Sequence, residues 1–363
     1  MPFQIIRNDI TKVKADAIVN TANPKPCIGA GTDSAVYAAA GEAQLLAARK
    51  QIGDIAPGQA FNTEAFQLNA KYIIHTVGPV WIDGSHGERD ILRSCYEKSL
   101  RLAADLECKS IAFPLISSGV YGFPKDEALQ IALSEISRFL MAHEEMKVLL
   151  VVFGRKALQL SERLVGGIEQ YIDDHAERQI CKAEYGEEIE ASWRRRNRLR
   201  MEETNAATSL LATEDYAFRE GKPNRDAAPF EAIATLPDVT GKSLDEVLGS
   251  AEETFQQRLF KLIDERGMDD VTVYKKANID RKVFSSIRCK KDYKPKKKTA
   301  LAFAIALELD LPTTLDLLSR AEYTFSPSSK FDLIVTYFIT NKKYNIFEIN
   351  AALFQYGLQT LGD

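Results

Sequence analysis

The sequence predicts an α/β protein: a three-layer α/β/α domain with a mixed, largely parallel sheet, followed by a charged linker and an all-α C-terminal domain. In residues 1–173, short apolar segments alternate with helical patterns, which is typical of a parallel sheet covered by helices. Residues 246–363 carry helical patterns almost throughout. A length of 363 residues also exceeds what one ordinary core needs, and therefore favours more than one domain.

Six strand candidates and four helical patterns account for residues 1–173. We predict strands over 3–6, 17–20, 59–66, 72–77, 110–115 and 148–153, and helices over 33–51, 89–106, 125–143 and 157–173. In sheets of this kind, ligands bind beyond the carboxyl ends of the strands. The loops after strands 17–20 and 110–115 are therefore expected at one edge of the sheet.

Residues 174–245 are predicted to form a charged helical and linker region. Pro223, Pro229 and Pro237 indicate a linker over 220–240. An arginine cluster between 194 and 200 is compatible with nucleic-acid contact, but the mixed charges around it favour a solvated helix. Beyond this region we predict seven helices, over 254–266, 271–277, 281–287, 298–309, 313–320, 330–340 and 346–354.

Composition and cysteine usage narrow the class of protein. The net charge of −4 argues against non-specific coating of nucleic acid by the whole chain. No run of about 18 apolar residues predicts a membrane span, and no secretory signal is recognised at the N-terminus. The five cysteines form no C-x-x-C pair, so we predict a cytoplasmic protein without a metal site or another cofactor.

The most informative segment combines a strand end, a glycine-rich loop and a helix start. Asn20 and Asn23 close the strand, Gly29 and Gly31 form the loop, and Asp33 opens the helical pattern. Glycine lets main-chain N–H groups approach a diphosphate, and a helix N-terminus adds partial positive charge. An asparagine amide can bind a ribose hydroxyl, and an aspartate can orient water. The segment therefore predicts a nucleotide-sugar site, with hydrolysis as a possible activity.

Several motifs in order make residues 1 to about 172 resemble a macrodomain, the ADP-ribose-binding module of the Appr-1''-p processing and MacroD type. The motifs are Asn8-Asp9-Ile10-Thr11, Val19-Asn20-Thr21-Ala22-Asn23, Gly29-Ala30-Gly31-Thr32-Asp33, Ile73 to Trp81 and Pro114 to Pro124. Each motif is weak alone, and the ordered set is specific.

The resemblance implies a role for each residue of the site. Asp9 and Ile10 would hold the adenine, and Phe153 would stack on its ring. Two loops would cradle the diphosphate, through Gly29, Gly31, Ser117, Ser118, Gly119, Val120 and Tyr121. Asn20 and Asn23 would face the distal ribose, with Tyr121 as its wall. Asp33 follows Asn23 by ten residues, as in the hydrolytic MacroD branch, and would orient the attacking water.

Structural alternatives remain open for these residues. Asp9 and Asp33 are also suitable helix caps, Phe153 is also a plausible core aromatic, and serines 117 and 118 are also turn formers. His75 lies in an apolar strand and is predicted to be a packed core histidine. The loop also departs from the family pattern, because Ile28 and Ala30 interrupt its glycine run.

Residues about 258 to 320 resemble a helix-turn-helix domain of the Cro/repressor type. The first motif helix would be 270–278, the turn 279–280 and the recognition helix 281–288. Residues 281–298 hold nine Lys or Arg and one Asp, which suits phosphate contact. The candidate contacts are Arg281, Lys282, Arg288, Lys290 and Lys291. The alternative is a protein-docking or oligomerisation role.

Together these features predict a bacterial macrodomain enzyme that binds ADP-ribose and hydrolyses ADP-ribosyl esters on protein. O-acetyl-ADP-ribose and ADP-ribosylated nucleic acid are the other substrates considered. The partners expected are ADP-ribose or an ADP-ribosylated macromolecule, and DNA, RNA or protein at the C-terminal domain, with no membrane. The rival predictions are a non-catalytic ADP-ribose reader, and a DNA-binding regulator that senses free ADP-ribose.

Overall fold

The computed structural model describes residues 2–143, 146–153, 158–185, 253–290 and 293–362. The predicted linker over 220–240, the arginine cluster between 194 and 200, and Lys291 all lie outside the described residues. Among the helices within these ranges, none is long and apolar enough to cross a membrane.

Six strands form one sheet, and five of them are parallel. The strands are β1 (Phe3–Arg7), β2 (Ala17–Thr21), β3 (Ala60–Glu64), β4 (Tyr72–Thr76), β5 (Ser110–Pro114) and β6 (Lys147–Val152). Their order is β1-β6-β5-β2-β4-β3, and only β3 runs antiparallel to its neighbour. The predicted mixed, largely parallel sheet is therefore confirmed.

Helices cover both faces of this sheet. They are α1 (Thr32–Ala40), α2 (Glu42–Ile52), α3 (Glu88–Asp105), α4 (Lys125–Ala142) and α5 (Glu162–Tyr185). Helices α1 and α2 pack on the face that includes Ile18 and Ile73, whereas α3 and α4 pack on the face that includes Val19 and Ile74. The alternation of side chains along each strand produces this three-layer arrangement.

One predicted helix is divided in the structure. The pattern over 33–51 predicts a single helix, but α1 ends at Ala40 and α2 begins at Glu42. Gly41 between them has a φ of 99°, which breaks the regular helical backbone. The break matters for the site, because it sends α2 back along the sheet with Arg49 on its inner side.

Seven helices make up the C-terminal region. They are α6 (Phe255–Glu265), α7 (Asp270–Lys276), α8 (Arg281–Cys289), α9 (Lys297–Ala306), α10 (Leu311–Ser319), α11 (Lys330–Thr340) and α12 (Ile346–Gln355). Most begin at a residue whose side chain accepts a main-chain N–H, namely Thr254, Asp269, Asp280, Asp310, Ser329 and Asn345. The predicted all-α character of this region is confirmed.

The helical region packs directly on the sheet domain. The Phe3 and Phe347 rings lie 5.0 Å apart between β1 and α12, and Leu160 N–H donates to Gln355 Oε1 at 3.0 Å. A single hydrophobic cluster includes residues of both regions. Helix α5 also continues beyond residue 173, where the first predicted domain ends, and packs through Tyr171 against Tyr337 of α11.

Candidate functional site

The carboxyl ends of the parallel strands carry the polar and glycine-rich loops at one edge of the sheet. Asp9 follows β1, Asn23 follows β2, Ser117 follows β5 and Phe153 follows β6. Parallel pairing brings these chain segments to the same side. The edge predicted from the strand order is therefore present, with the residues that the motifs singled out.

Asp33 is buried at the start of α1 and is held from two sides. Asp33 is only 2% exposed, and Gly31 occupies the N-cap position of the helix. Its Oδ1 accepts from Asn20 Nδ2 at 2.6 Å, and its Oδ2 accepts from Gly29 N–H at 2.5 Å. Asp33 is thus the second helical residue rather than the cap, and each carboxylate oxygen retains a further lone pair.

Asn20 connects Asp33 to a buried histidine. Strands β2 and β4 place Asn20 opposite His75, and Asn20 Nδ2 lies 3.3 Å from His75 Nδ1. His75 Nε2 lies 3.0 Å from Thr63 Oγ1, which donates to Glu64 O. The Thr63 hydroxyl therefore accepts from Nε2–H, and Nδ1 accepts from Asn20. Burial of His75 is confirmed, and the ring also orients the Asn20 amide.

The surroundings of His75 and Asp33 shift the pKa of each residue. They favour the neutral form of His75, and they act on the Asp33 carboxyl group in opposing directions. Burial, with the positive charge of Arg49, lowers the pKa of His75 to about 3. Burial raises the pKa of Asp33 above its ordinary value, whereas the Asn20 and Gly29 hydrogen bonds and Arg49 act in the opposite direction. Asp33 is therefore a buried carboxyl group whose pKa lies above its ordinary value.

Asn23 lies at the mouth of the first loop, and its side chain is half-buried. Asn23 Oδ1 accepts from Lys25 N–H at 3.1 Å. This hydrogen bond closes a local turn and fixes the orientation of the side-chain amide, including its Nδ2 donors. Asn20, in contrast, is fully buried, and its Nδ2 is engaged by Asp33 and His75. Direct contact between Asn20 and a ribose stays a prediction, whereas the structure shows Asn20 hydrogen-bonded to Asp33.

The second loop follows β5 and faces the first. Ser117 is buried with a φ of 61°, Ser118 Oγ donates to Leu115 O at 2.8 Å, and Gly122 N–H donates to Gly119 O at 3.0 Å. Val120 at the tip is 76% exposed, and a Cβ built on Gly31 would lie 3.8 Å from Val120 Cγ2. The two loops therefore approach each other over the carboxyl edge.

Tyr121 lies on the side of this loop that faces Asp33. Its main-chain carbonyl accepts from Trp81 N–H at 2.9 Å, which fixes the loop to the segment after β4. Burial raises the pKa of Tyr121, and the negative charge of Asp33 adds to this effect. Contact of Tyr121 with the ribose stays a prediction.

The opposite end of the edge carries Asp9 and Phe153. Asp9 Oδ1 accepts from Thr11 N–H at 3.0 Å and from Thr11 Oγ1 at 2.7 Å, and so caps the short 3-10 helix Ile10–Lys12. Ile10 is buried beneath this turn, and Phe153 is 79% exposed. Phe153 is thus not a core aromatic, and its ring face is accessible for stacking.

The basic side chains predicted to contact nucleic acid in the helical region differ in exposure and in their partners. Arg281, Lys282 and Lys290 are exposed on or beside α8. Arg288 instead pairs with Asp270 and lies 5.0 Å from the centroid of Phe260. The turn before α8 is buried, since Asn278 and Ile279 have no exposed surface. Nucleic-acid contact through this region stays a prediction.

Within the described ranges, one group of side chains has the composition of a metal site. It consists of Asp83, His86 and Glu88, in the segment that joins β4 to α3. Glu88 Oε1 accepts from the N–H groups of Ile82 and Gly84, and Oε2 from His86 N–H at 2.7 Å. These hydrogen bonds lower the pKa of Glu88 to about 2. The Glu88 carboxylate thus anchors the main chain of the loop before α3.

Sequence motifs did not identify Arg49, which lies beneath the first loop. Arg49 is 1% exposed and donates to the main-chain carbonyls of Asn23, Pro24 and Gly53. It occupies an ordinary position in a helical pattern, next to another cation, Lys50. No local signal in the sequence separates these two residues, because only the packing of α2 decides which one is inside.

Comparison with known proteins places the sheet domain in a family. The model of the Macro domain family matches residues 19–132. A macro domain-containing protein of Methanosarcina mazei is 49% identical over 142 residues, 39% of this chain and 75% of the relative. The O-acetyl-ADP-ribose deacetylase of Cronobacter sakazakii is 42% identical over 172 residues, 46% of this chain and 96% of that enzyme.

Two further matches cover the same part of the chain. The O-acetyl-ADP-ribose deacetylase of Klebsiella pneumoniae is 45% identical over 167 residues, 45% of this chain and 95% of that enzyme. The structure of the Oceanobacillus iheyensis macrodomain with ADP is 36% identical and has a TM-score of 0.40, covering 44% of this chain and 84% of its own. Because the chain covers nearly the whole length of relatives that are more than 40% identical to it, the chain belongs to the Macro domain family.

Proposed function

We propose that this protein binds ADP-ribose at the carboxyl edge and hydrolyses O-acetyl-ADP-ribose to ADP-ribose and acetate. The observation that carries the proposal is the buried Asp33 carboxylate, held by Asn20 and Gly29 directly beneath two converging loops. The names of the Cronobacter and Klebsiella relatives, both O-acetyl-ADP-ribose deacetylases, support the same chemistry.

The proposed ligand lies across the edge from β6 to β2. Its adenine stacks on the exposed Phe153 ring beside Asp9, and its diphosphate lies between the loops that contain Gly31 and Val120. Main-chain N–H groups of such loops are suited to phosphate oxygens. The distal ribose then lies beside Asn23 and Tyr121, within reach of the Asp33 carboxylate.

In the proposed reaction a water molecule attacks the acetyl carbonyl carbon. The ionised Asp33 carboxylate orients this water and accepts a proton as its oxygen bonds to carbon. The ester bond to the ribose then breaks, and the ribose oxygen receives the proton as it leaves. ADP-ribosyl esters on acidic side chains of proteins have the same linkage chemistry, and are the second substrate class that we propose.

Acetate release from O-acetyl-ADP-ribose tests this proposal. We expect Asp33→Asn and Asn23→Ala to lower kcat by about 100-fold or more, since an oriented water and a held ribose account for this range. Asp105→Asn is the matched control, because Asp105 ends α3 at the opposite edge of the sheet. ADP-ribose affinity, measured by calorimetry on the same samples, separates binding from turnover.

Two outcomes would contradict the hydrolase assignment. One is full turnover by folded Asp33→Asn, which would remove Asp33 from the chemistry. The other is tight ADP-ribose binding by the wild type without release of acetate or of protein-bound ADP-ribose. The second result would identify a non-catalytic reader, in which Ile28 and Ala30 of the altered glycine loop account for the lost water site.

A further inference from the structure

Arg49 is a buried cation for which the proposed chemistry gives no account. The residue is 1% exposed, and its guanidinium donates to Gly53 O, to Asn23 O at 3.2 Å and to Pro24 O at 3.3 Å. All of these acceptors are main-chain carbonyls. Burying a guanidinium is costly unless hydrogen bonds and nearby negative charge compensate, so its position calls for an explanation.

The hydrogen bonds of Arg49 tie the first loop to the end of α2. Asn23 and Pro24 follow β2, whereas Gly53 closes α2, and one guanidinium joins them. Ile55 N–H adds a hydrogen bond to Pro24 O at 2.8 Å. Because the Arg49 guanidinium donates to Asn23 O, it restrains the main chain of Asn23, and the direction of the Asn23 side chain therefore depends on Arg49.

The charge of Arg49 acts on the same site from below. The titratable groups that it influences or is influenced by are Asp33, Tyr37, Asp54, Cys27 and His75. His75 is neutral, and burial with the nearby Asp33 charge raises the pKa of Tyr37 to about 12. Tyr121 of the second loop also interacts electrostatically with Asp33. Of the groups that these pKa effects connect with Asp33, Arg49 is the one that carries a positive charge.

We infer that Arg49 is a positioning residue for the carboxyl-edge site, which fixes the main chain of Asn23 through its hydrogen bonds to the loop carbonyls and places a buried positive charge beneath the loop. The inference rests on the proposed function for its catalytic consequence. It extends that function to a residue outside the motifs, and it explains why a buried guanidinium donates to the main-chain carbonyls of Asn23 and Pro24.

The pH profile of acetate release tests the electrostatic role. We expect Arg49→Met to move the acidic limb of kcat upward, because the positive charge of Arg49 lowers the pKa of the Asp33 carboxyl group. Arg49→Lys keeps the charge and loses the planar set of donors. Its acidic limb should match the wild type, while its kcat falls about 10-fold through the displaced Asn23. Arg101→Met, at an exposed position of α3, is the matched control.

A direct titration of Asp33 separates this inference from the proposed function. Carboxyl carbon resonances are followed by NMR in wild type and Arg49→Met, with Asp33→Asn to assign the signal. An upward shift of the Asp33 midpoint in Arg49→Met supports the inference even if the wild type releases no acetate. A merely structural role for Arg49 would lower Tm and leave this midpoint unchanged.

The result that overturns the inference is a folded Arg49→Met with an unchanged Asp33 midpoint and unchanged ADP-ribose affinity. If Arg49→Met does not fold, Arg49→Lys decides. Wild-type affinity and kcat in Arg49→Lys would contradict the positioning role, and a 10-fold loss with an unchanged midpoint would support it.

Discussion

The side-chain amide of Asn278 pairs with both main-chain polar groups of Phe3. Asn278 Oδ1 accepts from Phe3 N–H at 2.9 Å, and Asn278 Nδ2 donates to Phe3 O at 3.0 Å. Strand β1 is an edge strand, so Asn278 occupies the place of a neighbouring strand. The turn between α7 and α8, predicted as part of a helix-turn-helix motif, is thus buried on the strand that leads to Asp9.

This pair predicts a large contribution of Asn278 to stability. We expect Asn278→Ala to lower the free energy of unfolding by about 3 kcal/mol, because two buried main-chain groups lose their partners. The φ of 52° at Asn278 adds strain for alanine. Urea denaturation measures the change. Asn341→Ala, which removes one half-exposed hydrogen bond to Tyr337 O, is the control, and equal losses in both variants would contradict the prediction.

The neutral His75 predicts a dependence of stability on pH. Its folded-state pKa of about 3 lies below the ordinary value of 6.5, so between these values the unfolded chain binds one proton more. Stability from this residue is present above pH 6.5 and is lost as the pH falls toward 3, with a slope of up to ~1.4 kcal/mol per pH unit. We expect His75→Gln to remove this slope.

Denaturation midpoints between pH 7 and pH 4 check the prediction for His75. The control is His143→Gln, because the His143 ring is exposed and stacks on Phe139. We expect its pH profile to follow that of the wild type. A profile of His75→Gln that is as steep as the wild type would show that other groups cause the acid sensitivity.

Gly78 predicts a test of the second loop. A Cβ at this position would overlap Ser117 Oγ and lie 2.9 Å from Ile116 Cγ2, so Gly78→Ala must displace these two side chains of the loop. We expect ADP-ribose affinity to fall about 10-fold or more, since the proposed diphosphate contacts depend on that loop. Calorimetry measures the affinity, and unchanged binding by the folded variant would place the diphosphate elsewhere.

Two adjacent glycines in α5 predict opposite effects on stability. A Cβ on Gly166 meets no atom within 4 Å, whereas a Cβ on Gly167 would lie 2.5 Å from the Tyr337 hydroxyl. We expect Gly166→Ala to stabilise by about 0.5–1 kcal/mol through helix propensity. Gly167→Ala should destabilise by about 1–3 kcal/mol, because the packed Tyr337 side chain must shift to admit the methyl group. Thermal melts compare the pair, and similar changes in both would contradict the described packing.

Much of the fold could be predicted because its signals are local. Apolar segments and helical periodicity located all six strands and the helices of both regions, whereas the order of the strands comes from the structure alone. The single predicted helix over 33–51 was wrong, because one glycine at residue 41 adopts a positive φ that periodicity does not reveal.

The site could be predicted in its residue types but not in its connections. The motifs singled out Asn20, Asn23 and Asp33, and the roles of all three toward a ligand stay predictions. The pairing register of β2 with β4 turns Asn20 toward His75, and this register is a property of the assembled sheet. Packing of α2 then places Arg49 beneath the loop.

The amino-acid sequence by itself determined the alternation of strands and helices, and the glycine-rich loops that follow β2 and β5. These features depend on neighbours within a few residues, where backbone preference and periodicity decide. The tertiary structure alone decided that Arg49 reaches Asn23 across 26 residues and that Asn278 pairs with Phe3 across 275 residues. Such contacts form only when distant segments pack together, because no local preference specifies which buried polar groups will meet.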